Sequence, residues 1–128
     1  DVQPPLPRVR MLSGRLWQLV YALLVDAAEA IQEKPRGMNS IRLSARAEAD
    51  GLLLVVEDSG CGIDPSQHKA IFEPFYTTKS ERRRAGLGLT LVWQFANAIG
   101  GNVEVISQSG AGASFRVWLP CTLASDAR

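Results

Sequence analysis

The sequence predicts a two-layer α+β sandwich, with a mixed, mostly antiparallel sheet and helices on one face, and three patterns support this prediction. Apolar residues recur at spacings of three and four over residues 14–33, as on an amphipathic helix. Two pairs of strand-like segments each flank a short glycine-containing turn, which is typical of antiparallel hairpins. A second apolar helix, residues 89–99, separates the two pairs. With this element order, the helices can cover only one face of the sheet.

Length and composition fit one globular domain. The chain has 128 residues, of which 46% are hydrophobic and 21% charged, so it does not have the composition of a disordered chain. A formal net charge of +1 gives no support for general binding to nucleic acid or to a membrane surface. Two distant cysteines and one histidine argue against a disulfide scaffold, a clustered zinc site and multi-histidine metal chemistry, and they suit a reduced cytoplasm.

The first elements are a lead-in and a helix. Residues 1–12 are proline-rich and end in a short apolar segment, residues 9–12, which we expect to add an edge strand. Ser13 is a suitable N-cap for the helix over residues 14–33, and Pro35 follows its end.

The first hairpin is the clearest strand signal. Residues 40–49 alternate apolar and polar side chains and predict a half-buried strand. Asp50-Gly51 predicts a tight turn, and the almost wholly apolar residues 52–56 predict a central strand. A short helix is expected over residues 64–71.

The second half repeats a helix-then-hairpin order. A helix is expected over residues 89–99, ended by the glycines at residues 100–101. Two strands, residues 102–107 and 113–119, are expected on either side of a glycine turn at residues 110–112. We expect residues 13–121 to form the domain and residues 122–128 to be a frayed tail.

A glycine-rich run follows the predicted central strand and is the first candidate for chemistry. Gly60 and Gly62 allow the backbone to approach a flat ligand, and the Asp58 carboxylate can accept a hydrogen bond from an amino group. The structural alternative is an ordinary glycine-rich turn with a capping aspartate.

Two further stretches suit an anion. Gly86-Leu87-Gly88 precedes a helix, whose free N–H groups and dipole favour negative charge, although an ordinary loop-to-helix turn has the same pattern. A basic run next to it suits a polyphosphate or is simply a solvated charged loop. This run comprises Lys79, Arg82, Arg83 and Arg84.

Two carboxylates on the first helix form the fourth candidate. Asp26 falls on the flank of the apolar stripe, near Glu29, where a pocket could open. Magnesium prefers oxygen donors and commonly binds one or two carboxylates plus phosphate, so this flank suits Mg²⁺. The alternative is a solvated helix flank.

In order and spacing, these stretches resemble the ATP-binding catalytic domain of sensor histidine kinases, which belongs to the superfamily of gyrase and has the Bergerat fold. The resemblance runs from about Leu16 to Pro120. The motifs are an N box, a first glycine box, an F box, a second glycine box and a closing hairpin, at residues 16–30, 58–63, 71–79, 86–89 and 100–120.

The resemblance implies how ATP would be bound. Asp58 would accept a hydrogen bond from the adenine amino group, Gly60 and Gly62 would pass close to the base, and Gly86 and Gly88 would present backbone to the phosphates. A mobile lid, anchored by aromatic residues of the F box, would cover the site. The lid spans residues 78–85, its anchors are Phe72 and Phe75, and the other implied contacts are Ile63, Lys79, Arg84, Leu87 and Leu89.

The resemblance also implies a reaction and its partners. The γ-phosphoryl group of ATP would pass to a histidine on a separate dimerisation and phosphoacceptor domain outside this chain, with Mg²⁺ held at Asp26 and a response regulator downstream. It implies no catalytic residue within the chain. His68 precedes Lys69 and not an acidic residue, so we expect a surface histidine and not the phosphoacceptor. The isolated domain is expected to be a cytoplasmic monomer without direct membrane contact, whether or not its parent is membrane-anchored.

Four positions depart from the family pattern. Asp26 stands where the family normally has Asn, and Ala22 where it often has a second Asn. Arg84 stands where it has Gly, and Ala113 where it often has Thr. Asp26 keeps an oxygen ligand but adds negative charge beside a triphosphate, which Mg²⁺ would offset. These departures keep two alternatives open: a catalytically degenerate nucleotide-sensing scaffold, and a related ATPase or serine kinase.

Overall fold

In the computed structural model, one antiparallel sheet has helices packed on one face, and the predicted α+β fold is confirmed. The structure describes residues 2, 4–9, 11, 13–32, 39–73, 87–107 and 111–121. Along these residues the helices and strands are α1 (Ser13–Gln32), β1 (Ile41–Glu48), β2 (Gly51–Asp58), α2 (Leu87–Ala98), β3 (Asn102–Ser107) and β4 (Ala113–Pro120).

The sheet has the strand order β1-β2-β4-β3, and every neighbouring pair is antiparallel. β2 is therefore central, as its apolar sequence predicted. At one end of the sheet, Asp58 pairs with Ala113, which pairs with Ser107. Because paired residues place their side chains on the same face, these three lie in one row on the helix side of the sheet.

The core lies between the helices and this face. The apolar residues of α1 and α2 recur at helical spacing, and those of the strands alternate, so both sets meet in one layer. Its largest fully buried side chains are Leu19, Leu23, Val56, Val92, Phe115, Val117 and Leu119. Along the described part of the chain, neither helix combines the length and hydrophobicity that a membrane span requires.

The first hairpin turn lies one residue earlier than predicted. Glu48 pairs with Gly51, so the two-residue loop is Ala49-Asp50. Both loop residues have positive φ, 47° and 59°, as in a type I′ turn. Asp50-Gly51 is therefore not the turn, because Gly51 is already the first residue of β2.

Gly51 is explained by packing and not by turn conformation. A Cβ atom there would lie 2.5 Å from the Trp118 ring and 2.5 Å from the Leu119 carbonyl oxygen. The Trp118 indole N–H donates a hydrogen bond to the Glu48 carbonyl oxygen at 2.7 Å, so the ring crosses the hairpin where the side chain of Gly51 is missing.

Two short elements also differ from the prediction. The expected helix over residues 64–71 is two 3₁₀ turns, Pro65–Gln67 and Ala70–Phe72. The Asp64 side chain caps the first turn by accepting hydrogen bonds from the Ser66 hydroxyl and backbone N–H, which hold the pKa of the Asp64 carboxyl below its ordinary value. Such a short segment closes i→i+3 bonds in place of a full α-helical turn.

The expected edge strand at residues 9–12 is reduced to one bridge in the described residues. Val9 pairs with Cys121 in an isolated antiparallel bridge, and the Met11 N–H donates back to the Val9 carbonyl oxygen at 3.0 Å. The tail, residues 122–128, lies outside the described residues.

Candidate functional site

A glycine-rich loop leaves the end of β2 and runs between α1 and the β3–β4 hairpin. It begins at Asp58, a residue that is only 9% exposed, and ends at buried Ile63. The Asp58 carboxylate accepts a hydrogen bond from the Gly60 N–H at 2.8 Å. A buried carboxylate needs such hydrogen bonds, because burial removes its water. The predicted site aspartate is therefore fixed by the backbone of its own loop.

The loop packs directly on the backbone of α1. A Cβ atom on Gly60 would lie 2.6 Å from the Ala30 carbonyl carbon and 2.7 Å from its oxygen. The next residue, Cys61, donates its N–H to the same Ala30 oxygen at 3.4 Å. Gly60 thus has a packing role of its own, because a side chain would push the loop away from the helix.

The start of β1 provides a second anchor. The Ser59 N–H donates to the Ser40 carbonyl oxygen at 3.1 Å, and the Ser40 N–H donates to the Ser59 hydroxyl at 2.8 Å. This reciprocal pair fixes the loop one residue after Asp58.

The far end of the loop is anchored by a residue that the motif analysis missed. Gly62 has φ of 76°, which favours glycine, and the following Ile63 N–H donates to the Ser107 hydroxyl at 2.7 Å. That hydroxyl donates in turn to the Gly112 carbonyl oxygen at 2.6 Å. The strand register could place Ser107 in the row of Asp58, but only the folded loop shows its contact.

The N terminus of α2 lies against α1. A Cβ atom on Gly88 would lie 3.6 Å from the Ala22 Cβ atom, which is an ordinary van der Waals contact. Half-buried Asp26 lies one helical turn after Ala22 on α1. Of the second glycine motif, Gly88 therefore lies against α1 one helical turn before the candidate metal ligand Asp26.

The start of the F box is part of the core. The Phe72 ring lies 6.3 Å from the Phe115 ring in an edge-on arrangement, and the buried Thr90 hydroxyl donates to the Phe72 carbonyl oxygen at 3.0 Å. This joins the segment after the glycine loop to α2. Leu89 is buried beside them.

Several predicted site residues lie outside the described residues. These are Lys79, Arg84 and Gly86, together with the expected lid over residues 78–85 and its second anchor, Phe75. Leu87 is described as the first residue of α2.

His68 lies nearer to the loop than expected. Its Nε2 atom is 3.3 Å from the Ile63 carbonyl oxygen, and the residue is half-buried, so it is not a fully exposed surface residue. Among the described residues, no group of three or more His, Cys, Asp or Glu side chains clusters as a metal site.

Comparison with known proteins identifies the class. Residues 12–123 match the family described as histidine kinase-, DNA gyrase B- and HSP90-like ATPase, so the chain belongs to this family. The sensor histidine kinase ZraS of Escherichia coli (strain K12) is 36% identical over 118 residues, covering 92% of this chain and 24% of ZraS. The signal transduction histidine-protein kinase AtoS of the same strain is 39% identical over 106 residues, covering 82% of this chain and 16% of AtoS.

Solved structures agree. Full-length ShkA in complex with AMPPNP is similar with a TM-score of 0.80 and 31% identity, over 96% of this chain and 25% of ShkA. The mycobacterial sensor histidine kinase MprB is similar with a TM-score of 0.80 and 26% identity, over 94% of this chain and 80% of that chain. Within its family, the chain is therefore an ATP-binding catalytic domain of the sensor histidine kinase type, and it spans a quarter or less of ZraS and AtoS.

We expect Gly60→Ala to destabilise the protein because its Cβ would overlap the Ala30 backbone. Overpacking of this kind typically costs about 1–3 kcal/mol, which thermal unfolding would show as a midpoint lower by several degrees. Gly88→Ala is the matched control, since its Cβ meets only an ordinary contact and alanine is favoured in helices. An equal or higher midpoint for Gly60→Ala than for Gly88→Ala would contradict the packing role.

Proposed function

We propose that residues 13–121 bind ATP with Mg²⁺ and supply its γ-phosphoryl group to a histidine on a separate dimerisation and phosphoacceptor domain of the same parent protein. A response regulator would then receive the phosphoryl group. The observation that supports this most is the buried Asp58 carboxylate at the start of a loop fixed by α1, β1 and β3. Because this reaction consumes ATP, we expect the domain to lie in the cytoplasm.

Asp58 suits recognition of an adenine amino group. An ionised carboxylate has two oxygens and about four lone-pair sites, so a bond from the Gly60 N–H leaves acceptor capacity for a ligand. Low exposure strengthens that bond, because little water competes. The row of Asp58, Ala113 and Ser107 would form the base end of the site.

The N terminus of α2 suits the phosphates. Its first backbone N–H groups have no partner within the helix, and its dipole attracts negative charge. Gly86 and Gly88 would expose this backbone, and Lys79 and Arg84 would add positive charge. Positioning and charge neutralisation are the main contributions that a protein makes to phosphoryl transfer.

Asp26 suits a magnesium ion on the triphosphate. It is a half-buried carboxylate, the oxygen donor that Mg²⁺ prefers, and it lies one turn from the contact between α1 and α2. Bound Mg²⁺ would neutralise phosphate charge. In this chain, the Asp26 carboxylate would supply an oxygen ligand to the metal and would add one negative charge where the family has none.

The second candidate function is a nucleotide-sensing scaffold without phosphoryl transfer. It is favoured by buried Ala113, which carries no polar group between Asp58 and Ser107 in the row where the family often has threonine. The intact parent protein separates the two functions. Incubation with labelled ATP should yield phosphohistidine on the acceptor domain and none on His68, whereas ATP binding without any phosphohistidine would favour the scaffold.

We expect Asp58→Asn to weaken ATP binding about tenfold or more, measured by isothermal titration calorimetry with Mg²⁺. Asparagine keeps an acceptor for the Gly60 N–H but removes the charge, and hydrogen bonds to charged groups contribute about 1.5–3 kcal/mol. Asp50→Asn is the control, because Asp50 is exposed in the turn at the opposite end of β2. Unchanged ATP affinity in Asp58→Asn would rule out the proposed adenine contact.

We expect nucleotide binding to depend unusually strongly on magnesium because of Asp26. Without the metal, its carboxylate and the triphosphate repel each other, and at short range one such charge is sufficient for about a tenfold change in affinity. Removing Mg²⁺ should therefore lower ATP affinity in this chain about tenfold more than in Asp26→Asn, with Asp50→Asn again as the control. Equal metal dependence in the native chain and Asp26→Asn would exclude this role.

A further inference from the structure

The Ser107 hydroxyl joins two segments that border the candidate site. Its oxygen accepts a hydrogen bond from the Ile63 N–H at 2.7 Å and donates one to the Gly112 carbonyl oxygen at 2.6 Å. Ile63 and Gly112 are both buried, so few water molecules can replace these bonds. Both the donor and an acceptor site of one hydroxyl group are thus in use.

The two segments that the Ser107 hydroxyl joins lie at opposite ends of the glycine-rich loop. Ile63 ends the loop that begins at Asp58, and Gly112 packs on the beginning of that loop. A Cβ atom on Gly112 would overlap the Asp58 carbonyl oxygen and would lie 3.3 Å from the Ser59 Cα atom. Through Gly112, the Ser107 hydroxyl therefore fixes the far end of the loop relative to its start.

The strand register shows that this effect on Asp58 is indirect. Ser107 and Asp58 lie in one row with Ala113 between them, so they are two strand spacings, about 10 Å, apart. The row consists of Ile41, Asp58, Ala113 and Ser107, and of these four residues Ser107 is the one that has a hydroxyl group. Ser107 therefore acts on Asp58 through the loop and not by direct contact.

We propose that Ser107 is a positioning residue of the nucleotide site, and that its hydroxyl sets the distance between Asp58 and Ile63 at which the loop admits the purine. This inference rests on the proposed ATP-binding function. Loss of the hydroxyl leaves a buried N–H group and a buried carbonyl oxygen without their partner, which favours local opening of the loop.

The test compares Ser107→Ala with Ser107→Thr, which keeps the hydroxyl and suits a strand. Titration calorimetry with ADP and Mg²⁺ should show about tenfold weaker binding for Ser107→Ala and binding within about twofold of native for Ser107→Thr. Ser107→Cys, which has similar shape but weak hydrogen bonding, should behave like Ser107→Ala and replaces it if the alanine variant does not fold.

Amide hydrogen exchange provides a readout that general destabilisation would not reproduce. In Ser107→Ala, exchange at Ile63 should be about tenfold faster, while exchange at Val117, fully buried in β4, should keep its native rate. Ser107→Thr should restore protection at Ile63.

The outcomes separate the two proposals. If the native chain binds neither ADP nor a non-hydrolysable ATP analogue with Mg²⁺, the proposed function is overturned, and this inference falls with it. If the native chain binds ADP, three results overturn the role of Ser107 alone: undiminished binding in Ser107→Ala, failure of Ser107→Thr to restore binding, or equal acceleration of exchange at Ile63 and Val117.

Discussion

The hydrogen bond between the Asp58 carboxylate and the Gly60 N–H is the constraint on which the site depends. A buried carboxylate is stable only when hydrogen bonds replace its water, and one donor to Asp58, a residue that is 9% exposed, comes from its own loop two residues later. The loop must therefore fold back at Gly60, and this requires a glycine where the chain meets Ala30. One buried charge thus determines both the path of the loop and the residue type at its closest approach to α1.

The loop is held by elements that are distant in sequence. Ser40 at the start of β1, Ala30 on α1 and Ser107 at the end of β3 each contact a different residue between Ser59 and Ile63. The shape of the loop therefore depends on contacts with α1 and with residues of both hairpins. A run of small residues is thus held in one conformation by tertiary contacts.

Local patterns predicted the layers well, because helical spacing and strand alternation act over a few residues. Such patterns predicted the central place of β2 and the loop after it that contains Gly60 and Gly62. The roles of Gly51 and Ser107 could not be predicted from local patterns. Gly51 packs against the Trp118 ring, and Ser107 bonds to Ile63, and both partners are distant in sequence. The expected helix after Asp64 is two 3₁₀ turns, and a side chain, that of Asp64, caps only the first of them.

Amide chemical-shift mapping tests the central claim most directly, by titrating the domain with a non-hydrolysable ATP analogue and Mg²⁺. The account predicts saturable shifts at the amides of Gly60, Gly62 and Gly88. Arg46 and Glu104, on the sheet face away from the helices, should keep their shifts. An absence of saturable shifts at millimolar analogue, or shifts concentrated on that opposite face, would contradict a nucleotide site built on Asp58.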